Sequence, residues 1–143
     1  MIHTDFLLNK DKGYWDISVS NDIDSTEGLD TSILTSIFTD SRASDSEQPV
    51  PLLRRGWWGD GYTRSSLGSK VWLTINRPIT DETSNYISSY VSQALQWLID
   101  DKFFTKIDVS TSVDIEKGVI YLYIMSTKND IITKRIFEVL QET

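Results

Sequence analysis

The sequence predicts an α+β fold, an antiparallel three-stranded meander packed against one long helix, plus an N-terminal strand and a short helix. Three observations predict it. Beyond Thr80, the residues Ile87, Tyr90, Val91, Ala94, Leu95 and Leu98 recur at the three-four spacing of one helical face. From Ile107 to Glu116 apolar and polar residues alternate strictly, the pattern of a strand with one wet face. A glycine turn, Glu116-Lys117-Gly118, then leads into a run from Val119 to Met125 that is apolar at nearly every position.

The elements follow in chain order. Tyr14 to Val19 alternates with Trp15, Ile17 and Val19 on one face, and reads as an edge strand. Asn21 to Gly28 is acidic and rich in turn formers, a loop. Asp30 has the character of an N-cap, and Leu29 stands at stapling distance from Leu34. Ile33, Leu34, Ile37 and Phe38 then stripe a short helix ending near Thr39 to Ser41. Residues 41–53 carry Ser, Asp, Glu, Gln and Pro, and read as an exposed loop. Val71 to Ile75 is a short apolar element whose type the pattern leaves open, broken by Asn76-Arg77-Pro78.

The long helix is expected over Asp81 to Asp101, with Thr80 as N-cap and Asp81 and Glu82 where the dipole favours negative charge. Trp97 lies beside its apolar stripe. Val119 to Met125 suits a central strand covered on both faces. Lys128-Asn129-Asp130 turns the chain again. Ile131 to Leu140 alternates weakly, and Ile132, Ile136, Val139 and Leu140 also fit a helix; we read it as the third strand.

At 143 residues the chain has the length of one domain, expected to span 1–143 with 1–12 as a flexible tail. A formal charge of −7 argues against nucleic acid and anionic membranes as partners, since phosphate contacts need clustered Lys and Arg. The absence of cysteine removes disulfides and thiolate metal sites. The first twelve residues lack a signal-peptide apolar run, and no stretch approaches the ~20 apolar residues of a membrane span, so a soluble intracellular origin is expected.

Catalytic and ligand motifs fare poorly. His3 is the one candidate base for a nucleophile and sits in the expected tail. The acidic run Asp22, Asp24, Glu27, Gly28, Asp30 misplaces the glycine of a calcium loop and has Ile33 where a bidentate Glu belongs. Gly61 to Lys70 ends Gly-Ser-Lys where a phosphate loop needs Gly-Lys before Ser or Thr. Gly56, Gly59 and Gly61 are no dinucleotide fingerprint, because two Trp side chains would crowd the pyrophosphate. Asp60 lies beside Trp57 and Trp58, as in sugar-cleaving sites, yet spacing sets no second carboxylate opposite it. No catalytic, cofactor-binding or metal-ligating residue is therefore assigned, and no cofactor is expected.

The block Arg54-Arg55-Gly56-Trp57-Trp58-Gly59-Asp60 carries the strongest binding signal, because Trp and Arg supply most of the energy at protein contacts. Gly56 and Gly59 permit sharp turns. Adjacent side chains rarely share one burial face, so one indole should plug the core while the other, with Arg54 or Arg55, meets a partner. The expected interface is Arg54, Arg55, Trp57, Trp58 and Asp60, with Gly56 and Gly59 as structural turns.

Four strings, Thr35 to Ala43, Arg54 to Asp60, Gly68 to Leu73 and Ala94 to Asp101, together resemble the tail baseplate family typified by the forty-sixth protein of Mu-like phages, in order and spacing, from Leu29 to about Met125. More distantly the chain is similar to wedge proteins of T-even phages and contractile injection systems. The resemblance implies a non-enzymatic structural part of a contractile phage or prophage tail baseplate, in several copies, contacting other baseplate and sheath-proximal tail proteins. It also implies a location in the virion tail, with host cytoplasm during assembly. Some of the wider group are lysozyme-like, which keeps a peptidoglycan hydrolase as the alternative; a small bacterial binding or adaptor module is a further one. Lys102 departs from the family pattern, standing where a glycine is expected to end the long helix. Met1 to Lys12 and Ile131 to Thr143 match little.

Overall fold

The computed structural model describes residues 7–9, 16–18, 29–62 and 66–141. Strands β1 (Leu7–Asn9) and β2 (Asp16–Ser18) form an antiparallel pair with Leu8 opposite Ile17. β1 falls in the segment expected as a flexible tail, and β2 falls inside the expected strand, whose flanks Trp15 and Val19 lie outside the described residues. His3 and the acidic residues Asp22, Asp24 and Glu27 also lie outside them. Helix α1 (Leu29–Phe38) begins one residue before the expected cap at Asp30. The chain divides into two compact units between Thr35 and Ser36.

The second unit carries α2 (Asp81–Asp100) and a sheet of β3 (Lys106–Asp114), β4 (Val119–Lys128) and β5 (Ile131–Gln141), antiparallel in the order β3-β4-β5. The α+β class and the third strand are as the sequence predicts. Thr80 caps α2, its Oγ1 accepting from Thr83 N at 3.3 Å. The stripe Ile87, Val91, Leu95 and Leu98 is buried, as are Ile120, Leu122 and Ile124 on one face of β4. Burying side chains of this size stabilises by about 1.5–3 kcal/mol each. α2 lies against β3, where Ser84 Oγ and Thr111 Oγ1 share a 2.9 Å hydrogen bond.

The central strand departs from expectation. One face of β4 is sealed, whereas on the other Tyr121 and Tyr123 are half-buried and Met125 is exposed. The apolar run misled because tyrosine counts as hydrophobic yet tolerates a wet surface through its hydroxyl; the Tyr123 hydroxyl bonds Ser112 Oγ at 3.2 Å. Both hairpins use left-handed residues. Gly118 has φ +61, and the two-residue β4–β5 turn sets Asn129 and Asp130 at φ +50 and +63, the signs of a type I′ turn.

The end of α2 resolves the departure at Lys102. Phe103 N donates to Leu98 O and Lys102 N to Ile99 O, both at 2.9 Å, which is the paired bonding of a Schellman motif. Lys102 occupies its left-handed position at φ +62. The Phe103 ring meets Trp97 edge-on at 5.9 Å, the hydrophobic contact that accompanies such caps. Trp97 also donates from Nε1 to the buried Ser36 Oγ at 3.0 Å. Lysine thus bears a steric cost that glycine lacks. Lys102→Gly is expected to raise stability by about 1 kcal/mol, seen as a higher urea midpoint at unchanged slope.

Candidate functional site

Residues 50–62 hold the expected interface block and fold as two 3₁₀ turns, Pro51–Leu53 and Trp58–Tyr62, joined by Arg54 to Trp57. Proline at the first position starts the first turn with φ preset. The joining residues Arg55 and Gly56 both have positive φ, +52 and +113, which reverses the chain before the indoles.

The segment hangs from residues 37–43 and 68–74. Ser69 N donates to Thr39 O at 2.9 Å and Ser41 N to Ser69 O at 3.0 Å, a short parallel bridge. Gly68 makes it possible: with φ +103, any Cβ there would lie 2.3 Å from Thr39 O. Ser69 Oγ bonds Ile37 O, and Trp72 Nε1 donates to Ser41 O at 2.9 Å. The uncertain element at Val71 is a 3₁₀ turn, Val71–Thr74.

Both arginines face their own chain. Arg54 ion-pairs Asp45 and donates to Gln48 O at 2.8 Å and Pro49 O at 3.0 Å, closing the loop 41–53. Within that loop Ser41 and Ala43 are buried while 44–47 are exposed. Ala43 N reaches Arg54 O at 3.0 Å. Arg55 pairs with Asp40 at 2.7 Å and stacks over the Trp72 ring at 4.7 Å, leaving its side chain about half exposed.

The two indoles part company. Trp57 is half-buried and lies over Gly59, so closely that a Cβ on Gly59 would stand 2.1 Å from the ring. Trp58 is 80 % exposed and Tyr62, four residues on, is 87 % exposed. Their rings meet edge-on at 6.4 Å, and Trp58 leans on Trp57 at 5.4 Å. Tyr62 lies outside the expected interface block of Arg54 to Asp60. Asp60 is engaged by its own chain, its Oδ1 accepting from Leu67 N at 2.9 Å. Among the described residues no cluster of acids and histidines could hold a metal ion, and no helix is long and apolar enough to cross a membrane.

A charged clamp completes the surroundings. Glu47 accepts from Lys70 Nζ at 2.9 and 3.0 Å and from Ser44 N at 2.8 Å. These bonds, the Lys70 bond first, hold its carboxyl down from 4.5 to about 2. A depressed carboxylate contributes stability in full above its unfolded value and loses it as pH falls toward the folded one. The acid limb of unfolding between pH 4.5 and about 2 is therefore expected to flatten in Glu47→Gln, followed by urea midpoints across that window. Gly59→Ala should destabilise by about 1–3 kcal/mol through overpacking against Trp57, with a blue-to-red shift in indole emission as the ring is displaced.

Comparison with known proteins comes from two directions. The family model described as Phage protein GP46 matches residues 29–131, from the start of α1 to the first residue of β5. "Baseplate protein gp46" of Escherichia phage Mu is 34 % identical over 130 residues, 89 % of either chain. "Mu-like prophage FluMu protein gp46" of Haemophilus influenzae is 36 % identical over 87 residues, 60 % of this chain and 58 % of that one. With a family model matching most of its length and a Mu relative matched nearly end to end, the chain belongs to the phage protein GP46 family.

Proposed function

We propose that this chain is a structural, non-catalytic component of a contractile phage or prophage tail baseplate, docking on other baseplate and sheath-proximal proteins through the Arg54 to Asp60 loop. Its place is the virion tail, reached by assembly in host cytoplasm in several copies. The name of the Mu relative supports the baseplate role. The observation that carries the docking site is the exposure of Trp58 and Tyr62 on a segment whose neighbours are tied down by their own chain.

Division of labour within the loop follows from the contacts. Exposed aromatic rings on a preset backbone can bury large area on a partner with little further ordering cost. Arg54 and Asp60 spend their polar groups on the loop itself, so they act by shaping it. Arg55, half exposed beside Trp72, can add a charged contact at the rim. The roles of Asp60 as a loop tie and of the arginines as staples also favour a geometric function over sugar hydrolysis.

Copurification with the neighbouring baseplate proteins tests this. Trp58→Ala should leave the fold within about 0.5 kcal/mol of wild type, as surface substitutions do, yet weaken association at least about tenfold, as loss of an interface anchor does. Trp57→Ala should instead lower stability. Undiminished association of a folded Trp58→Ala, Tyr62→Ala double variant would remove the loop from the interface.

A further inference from the structure

The sheet order leaves one side of the β5 backbone without a ladder partner among the described residues. Pairing with β4 fixes which β5 side chains share its open face: Ile132, Lys134, Ile136 and Glu138 stand opposite Thr127, Met125, Tyr123 and Tyr121. All four are exposed, Ile132 at 63 % and Ile136 at 57 %. The other edge, β3, presents Asp108, Ser110 and Ser112 there, with Asp108 already paired to Lys106 at 2.9 Å. The β3 edge is wholly polar on that face, whereas β5 alternates exposed isoleucines with one lysine and one glutamate, so its charges oppose a strand that does not answer them and leave room for one that does.

Charge on β5 identifies the occupant. Lys134 lies over the Tyr123 ring at 5.0 Å, and neither it nor Glu138 has an ion pair among the described residues. Four residues apart on a strand, they stand about 13 Å from each other and cannot meet within one chain. We propose that β5 pairs antiparallel with β5 of a second copy of this chain, about a two-fold axis at Ile136. In that register Lys134 of each copy faces Glu138 of the other, twice by symmetry, and Ile136 meets its own counterpart. An axis at Lys134, Arg135 or Glu138 would instead set like charges face to face. Arg135, bonded inward to Ser126 Oγ at 2.7 Å, stands opposite Phe137 of the second copy in that register. The match to the family model stops at Ile131, and the pairing is argued from the β5 residues alone, apart from the Trp58 loop.

Sedimentation of the full chain over a concentration series, with circular dichroism to confirm the fold of each variant, tests the register. Wild type should dimerise reversibly. Lys134→Glu alone, or Glu138→Lys alone, turns both facing pairs repulsive and should weaken the dimer at least about tenfold; the double reversal should return it to within about threefold of wild type. Ile136→Lys should abolish it. A wild-type chain that stays a 16.4 kDa monomer up to about 1 mM overturns the proposal. So does a dimer indifferent to the single reversals, or one lost on Trp58→Ala.

Discussion

Everything at the aromatic loop depends on two backbone hydrogen bonds that join Thr39 and Ser41 to Ser69. The backbones can approach so closely only because position 68 carries no side chain. Once they touch, Ser69 Oγ satisfies Ile37 O, Trp72 satisfies Ser41 O, and Lys70 comes within reach of Glu47. Arg55 then finds Asp40 on one side and the Trp72 ring on the other. The loop needs this framework because 3₁₀ turns of three to five residues have poor hydrogen-bond geometry and little stability of their own.

The regular part of the second unit was legible because period alone decides it. Leu98, Leu95, Val91 and Ile87 recur as a helix must, and Ile107 to Ile115 alternate as a strand must. β5 was less legible, since Ile132, Ile136 and Leu140 satisfy both periods; its pairing with β4 decided in favour of the strand. Two details lay beyond any pattern. The outer face of β4 stays wet because its tyrosines have hydroxyls to satisfy. Lys102 takes a glycine's conformation because the two cap bonds and the Phe103–Trp97 contact outweigh its steric cost.

The loop was legible in kind and not in detail. Adjacent side chains point apart, so a difference in cover between the two indoles follows from sequence; neither plugs the buried core as expected, and Trp57 is only half-buried, seated on the bare Cα of Gly59. The arginines were the weak point, because a guanidinium binds a carboxylate equally well in its own chain or in a neighbour's. Asp45 and Asp40 were near enough in space to capture them, and nothing in the spacing of the sequence announced that.

Capture of the arginines changes the energetics of docking on the proposed reading. An arginine free to swing toward a partner must lose rotamer freedom when it binds, and its charge must be desolvated at that moment. Here Arg54 is already ordered against Asp45, Gln48 and Pro49, and that cost belongs to folding. What remains for a partner is chiefly Trp58 and Tyr62, two rings with few rotatable bonds, mounted on a backbone closed by Asp60 and Leu67. A chain with a formal charge of −7 can display such rings and stay soluble, since net charge opposes random association while shape selects the proper one. The same reasoning separates the two exposed surfaces: the rings suit a complementary apolar pocket, whereas the proposed β5 pairing also depends on Lys134 and Glu138 meeting their opposites in register.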